Sequence, residues 1–246
     1  MNKAAPLGGI RHICFDKDGT LTDVHCYWAH ICGLRADLLA AKHGLGASKR
    51  NLLLDAMGID LSSGRIKPGG PVGYKPRKTI VEGLSRLMDG MGIPVPAEGI
   101  DEAFREIDKR QQETGDYRIE LLPSVREVLA RLKASGAVLS IYTSDRKENG
   151  ERILQSLGLR ELFAAVVGGG CVKKAKPDPE GFLTACERVG VEPSSSAYVG
   201  DTVEDMQMAV AGSAGARIGV LTGLGTKDEL GRLTPHVHDS LEGMCP

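Results

Sequence analysis

Aromatic residues are scarce in this chain: four Phe, five Tyr and one Trp, 4% of the whole. That is too few for the stacking platforms on which proteins hold single-stranded nucleic acid. An excess of either charge is missing too, because 31 Lys and Arg oppose 32 Asp and Glu for a formal net charge of -1. No global basic field is available to draw in a duplex or an anionic membrane. No run approaches the roughly 18 uninterrupted apolar residues of a membrane span. The opening residues, Met1-Asn-Lys-Ala-Ala-Pro-Leu-Gly-Gly, lack the apolar segment of a secretory signal. The six cysteines (14, 26, 32, 171, 186 and 245) form no C-x-x-C pair, so reduced thiols are expected in place of a zinc or disulfide framework. These absences predict a soluble, cytoplasmic protein with neither nucleic acid nor membrane as partner.

What is present is ordinary globular material, 246 residues of which 41% are hydrophobic and 26% charged, enough for one large domain or two smaller ones. One stretch near the start organises the rest. The apolar run Ile13-Cys14-Phe15 leads into Asp16-Lys17-Asp18-Gly19-Thr20. As a strand leaving a sheet, it buries the apolar run and delivers the aspartates at its C-terminal end, where open α/β sheets bind ligands. Strand alternation points Asp16 and Asp18 to one side, and Gly19 lets the backbone turn sharply with its amides exposed to an anion. Two carboxylates so placed suit a hard cation, and one can double as a nucleophile. An Asp-rich turn that caps a helix uses the same residue types.

After Thr20 helical spacing persists for about a hundred residues. Trp28, Ile31, Leu34, Leu38 and Leu39 form one stripe, and Leu52, Leu53, Ala56 and Met57 another. Ile80, Leu84, Leu87 and Met88 make a third, and Ile100, Ala103, Phe104 and Ile107 a fourth. Between the second and third, residues 62–74 are too rich in Gly and Pro for regular structure. At Pro123 the style changes. Ser124-x-x-Glu127 reads as a capping box, and strands at Val138–Tyr142, Ala164–Val167, Ala197–Val199 and Arg217–Leu221 alternate with helices at about 148–157, 179–189 and 203–211. Such alternation implies an α/β fold, a parallel sheet covered on both faces. Residues 1–20 and 123–246 are therefore expected to form an α/β core domain, with 21–122 inserted as a helical cap placed to act as a lid.

The later strands also end in residues suited to one site. Thr143-Ser144 follows a strand at a helix start, where a hydroxyl can donate to a phosphate oxygen or merely cap the helix. Lys176 immediately precedes Pro177-Asp178-Pro179, so its ammonium projects from a stiffened loop and can neutralise charge on a phosphoryl group. Surface charge is the plainer role for it. Gly200-Asp201 closes an apolar strand and puts Asp205 on the next helical turn, where acids are favoured in any case by the helix dipole.

Phe15-Asp-Lys-Asp-Gly-Thr20, Thr143, Lys176-Pro-Asp-Pro and Gly200-Asp-Thr-Val-Glu-Asp205, in this order and spacing, resemble the haloacid dehalogenase-like (HAD) superfamily. The match is strongest to the phosphoglycolate phosphatase and β-phosphoglucomutase branch, which carries a helical cap on a Rossmann-like core. The resemblance covers Ile10–Thr20 and about Leu122–Met244, and Gly223-Leu-Gly fits as well; the cap matches in position and helicity only. It implies that Asp16 is the nucleophile forming an aspartyl-phosphate, and that Asp18 is general acid and then general base. Thr143 and Lys176 would hold the phosphoryl group, joined by Gly19 and Ser144. Mg2+ would be bound by Asp16, the backbone carbonyl of Asp18, and Asp201, with Asp205 a further ligand or, preferably, a residue supporting the ligands. Asp18 sets the chain apart from dehalogenating and phosphonate-cleaving relatives, and the additional domains of ion pumps are missing. Lys17 is a tolerated variation between the two aspartates with no bearing on substrate.

The expected activity is Mg2+-dependent hydrolysis of a phosphomonoester of a small metabolite. The alternatives are an intramolecular phosphotransferase resembling β-phosphoglucomutase and a non-catalytic binding module. His25, Tyr27 and Trp28 follow the first motif closely enough to face the leaving group, although Tyr27 and Trp28 also suit the start of an apolar helix face. Arg65, Lys67 and Lys75 could receive an anionic leaving group or form a solvated loop. Neither the substrate nor the oligomeric state is legible.

Overall fold

The first apolar run is a strand. In a computed structural model describing residues 8–115 and 117–244, β1 (His12–Phe15) runs parallel between β2 (Val138–Tyr142) and β4 (Ser196–Gly200). The amino-terminal segment 1–7 and Cys245, both read above, lie outside the described residues. Phe15 pairs with Ile141 on one side and Val199 on the other. With β3 (Ala165–Val167), β5 (Ala216–Val220) and β6 (Val237–His238), the strands form one parallel sheet in the order β3-β2-β1-β4-β5-β6. The α/β class expected from the alternation, and the Rossmann-like core that the resemblance implies, are observed.

Period-two alternation divides the core between the faces of the sheet. Ile13, Phe15, Leu139, Ile141, Ala197 and Val199 pack with Val128, Leu129 and Leu132 of α5 (Val125–Ala134) and Leu154 of α6 (Lys147–Ser156). Cys14, Tyr142 and Tyr198 take the opposite face with Phe182, Ala185 and Cys186 of α7 (Glu180–Val189) and Met206 and Ala209 of α8 (Val203–Ala211). Each large apolar side chain so buried contributes about 1.5–3 kcal/mol. Covering helices on both faces explain why these strands read as continuous apolar runs.

Ser124 does not close a capping box. Its backbone is left-handed at φ +61°, and its hydroxyl donates to Glu242. Among the described residues, capping boxes are formed by Thr202 with Asp205 on α8 and by Thr226 with Glu229 on a further helix, α9 (Lys227–Gly231). That helix and β6 were not anticipated, for they are too short to carry a periodic signal.

The contacts divide the chain into two compact units, one from the residues up to Asp23 and from Leu121 onward, the other Val24–Glu120. The second contains α1 (Val24–His43), α2 (Ala47–Met57), α3 (Arg77–Gly90) and α4 (Ala97–Thr114), one for each predicted stripe. Ile31, Leu39, Leu53, Met57, Ile80, Leu84, Met88, Ile100 and Phe104 form its interior. Leu52 does not join them and is 48% exposed. Arg35 is buried there, stacked 4.2 Å from the Phe104 ring centroid and paired with Asp108 at 3.0 Å. Residues 62–74 contain no helix, and a single bridge joins Ile59 to Ile66. No helix among the described residues is long and apolar enough to cross a membrane.

Candidate active site

Parallel strands bring their C-terminal ends to one edge, and Asp16, Thr143 and Asp201 each directly follow one of three adjacent strands. Lys176 reaches the same edge from the loop between β3 and α7. Its ammonium donates to Asp16 Oδ1 at 2.5 Å and to Asp205 Oδ1 at 2.7 Å, with the rings of Tyr142 and Tyr198 5.2 and 5.6 Å away. Burial alone would lower the Lys176 pKa, but the two carboxylates raise it above the usual lysine range. The surface role open to Lys176 in the sequence is therefore excluded. Its loop is tied at the start of α7: Glu180 accepts the amides of Lys173 at 3.0 Å and Lys174 at 2.9 Å, and Asp178 accepts the Glu180 amide at 3.1 Å.

Oxygens of Asp16, Asp201 and Asp205, all buried, lie within 4.8 Å of one another. Burial, reinforced by Asp205 and Asp18 against the pull of Lys176, pushes the Asp16 carboxyl up to about 7. Burial, reinforced by the Asp16 and Asp205 charges, pushes Asp201 well above the carboxylate range. In their ionised forms, three carboxylates against one ammonium leave two negative charges uncompensated, the balance a divalent cation restores. The donor set, all hard oxygen, fits such an ion.

The three acids are not equivalent. Asp205 Oδ2 accepts from the Thr202 amide at 3.1 Å and hydroxyl at 2.7 Å, while Oδ1 accepts from Lys176 and from Tyr198 at 3.1 Å. Both its oxygens are engaged by protein, which suits a residue that steadies Lys176. Among the described residues, Asp201 accepts the Leu224 amide at 2.8 Å on Oδ2 and the Thr20 hydroxyl at 3.3 Å on Oδ1. Space around Asp201 comes from two glycines. A Cβ on Gly19, at φ +85°, would sit 2.5 Å from Asp201 Oδ2, and one on Gly223 would sit 1.8 Å from it.

Asp18 stands outside this trio. Its carboxylate, 39% exposed, accepts on Oδ1 from Lys17 and from the Thr22 hydroxyl at 3.1 Å. The strand ends at Phe15, so alternation no longer dictates where Asp18 points. Thr143 is buried, and its Oγ1 accepts the Asp145 amide at 3.2 Å, which leaves the hydroxyl proton to donate elsewhere. Ser144 is exposed.

The remaining candidates, exposed Lys75 among them, belong to the helical unit. His25 is buried and accepts the Ile66 amide at 3.2 Å, which puts it beside the basic stretch. Arg65 is exposed and Lys67 pairs with Asp55 at 2.5 Å. Tyr27 packs edge-on to Trp28 with centroids 5.2 Å apart. No pattern in the sequence singles out Glu180, the two tyrosines or Lys17. Lys17 is the largest surprise, since a lysine between two acids suggests solvent and this one is 2% exposed.

A family model described as haloacid dehalogenase-like hydrolase matches residues 10–212. The phosphoglycolate phosphatase of Salmonella typhi is 28% identical over 100% of this chain and 94% of its own length. The Dickeya dadantii protein named "Probable phosphatase IndB" is 34% identical over 60% of this chain, and the match spans 64% of that protein, just under two thirds. A crystal structure from Thermotoga maritima, given as a candidate β-phosphoglucomutase, superposes with a TM-score of 0.67 at 23% identity, covering 96% of each chain.

Proposed function

Because the chain belongs to the haloacid dehalogenase-like hydrolases, in the branch of phosphoglycolate phosphatases and β-phosphoglucomutases, we propose that it hydrolyses a phosphomonoester of a small metabolite with the aid of Mg2+. The observation that carries this reading is the Asp16 carboxylate at the tip of the central strand, held by Lys176 and grouped with Asp201. Asp16, Asp201 and the backbone carbonyl of Asp18 would hold Mg2+, which supplies charge neutralisation to phosphoryl oxygens.

The chain's own residues do the rest. Lys176 fixes Asp16 through Oδ1, leaving Oδ2 to attack phosphorus in line while the bond to the leaving oxygen breaks. Asp18 protonates that leaving oxygen. It then takes a proton from the water that attacks the phosphoryl-Asp16 intermediate, releasing phosphate and restoring both carboxyl groups. Lys176 and the free Thr143 proton stabilise the phosphoryl oxygens. A cytoplasmic location belongs to the same proposal.

Phosphate release from a panel of phosphorylated sugars, small acids including 2-phosphoglycolate, and nucleotides tests it. Turnover with Mg2+ and none with EDTA is expected. A requirement for a sugar bisphosphate would replace hydrolysis with intramolecular phosphoryl transfer, and no turnover at all would leave a binding module.

A further inference from the structure

Lys17 is one of the largest fully buried side chains in the protein, yet it carries a charge. Its ammonium touches Asp18 Oδ1 on one side and lies 3.2 Å from Asp145 Oδ2 on the other. Burial opposes its charge, but Asp18 and Asp145 outweigh that and hold its pKa above the usual lysine range. Asp145 is itself fixed, since Asn149 on α6 donates to its Oδ2 at 3.0 Å. A chain of contacts therefore runs from a helix through Asp145 and Lys17 to one oxygen of Asp18. The Thr22 hydroxyl lies 3.1 Å from that oxygen and 3.2 Å from the Lys17 carbonyl, so its one proton serves either acceptor. Lys17 is thus the charged donor that holds Asp18 Oδ1, which leaves Oδ2 for proton transfer.

We propose that Lys17, braced by Asp145, is a positioning residue that orients the Asp18 carboxylate for proton delivery to the leaving group. The proposal rests on the phosphatase reading above. Burying an ammonium costs several kcal/mol before pairing, and a staple between two loops could be made from apolar side chains at no such cost. What a lysine adds is a fixed direction: it holds one carboxylate oxygen and presents the other. Besides Asp18 and Asp145, the Asp16 carboxylate also favours the Lys17 charge, while its own Oδ1 pairs with Lys176.

The test compares leaving groups. p-Nitrophenolate departs from its phosphate ester without a proton, whereas an alkoxide needs one, so only the alkyl ester depends on a well-aimed Asp18. kcat/KM reports the step in which the leaving group departs. In Lys17→Met, kcat/KM for the alkyl phosphate that wild type turns over best should fall about 100-fold, and for p-nitrophenyl phosphate less than about tenfold. Asp145→Asn, which keeps the ammonium but loosens its brace, should show the same pattern in weaker form. The double variant Lys17→Met/Asp145→Asn should stay as slow as the single Lys17→Met; recovery there would reduce Lys17 to a counter-charge for Asp145 and overturn the proposal. Equal losses on both esters, or no loss, would overturn it too. Thermal melting of each variant separates a folding defect from either result. A wild type inactive on every ester would instead refute the phosphatase reading itself.

Discussion

His12 sits at the start of β1 with no exposed surface, its ring nitrogens 3.0 Å from the Ser196 hydroxyl and 2.7 Å from that of Ser140, and the Cys186 sulfur 3.9 Å away. These partners accommodate a neutral imidazole, and burial lowers its pKa from 6.5 to about 4. Between those values the unfolded chain takes up a proton that the folded chain refuses. Its contribution is thus complete above pH 6.5 and is lost as pH falls towards 4, by about 3 kcal/mol in total. Asp16, pushed up to about 7, acts with opposite sign in the same window because its raised pKa favours proton uptake by the folded state. Comparison with a variant isolates the histidine. His12→Asn should be less stable at pH 7 but lose less stability between pH 7 and 5 than wild type, measured as urea midpoints; parallel losses would contradict the assignment. Gly223 acts through space instead of charge. The added carbon of Gly223→Ala would collide with Asp201, so Mg2+-dependent turnover should fall by about 10–100-fold while folding persists. Gly231→Ala, whose Cβ meets nothing within 4 Å, is the control and should behave as wild type.

Among the elements, the strands that carry the site were the most legible. Fully buried parallel strands leave uninterrupted apolar runs, and β2 was placed residue for residue at Val138–Tyr142. The acids and hydroxyls immediately beyond β1, β2 and β4 stood out because their polarity breaks those runs. Ser124 misled because a Ser-x-x-Glu pattern says nothing of the backbone at the cap, which here is left-handed. Lys17, Asp145 and Glu180 were hidden for a common reason, that their roles depend on partners brought close only by folding. Glu180 is the clearest case at this scale. Its carboxylate ties two loop amides at the head of α7, just ahead of Lys176. Glu180→Ala should cost about 1 kcal/mol of stability, like the loss of a helix cap. It should also lower kcat about tenfold by loosening the ammonium's aim. A stability loss with unchanged kcat would show that the loop holds Lys176 without it.

At the scale of the whole molecule, the chain joins a sheet-based unit to a helical unit, and the uncompensated carboxylates all belong to the first. Mg2+ should therefore stabilise the unfolding transition of that unit, by about 2.7 kcal/mol at a hundredfold excess over its Kd. Calorimetry in Mg2+ and in EDTA checks this, with Asp201→Asn expected to abolish the shift. Identical melting in both buffers would leave the acid cluster without its ion.

The central claim is that Asp16 is the residue that takes the phosphoryl group. Quenching the reaction during turnover, digesting the protein and mapping the phosphoryl adduct by mass spectrometry tests it directly. A hydroxylamine-sensitive adduct on the peptide carrying Asp16, missing from Asp16→Asn together with all turnover, is the expected result. Phosphate release that persists in Asp16→Asn, or an adduct on any other residue, would contradict it.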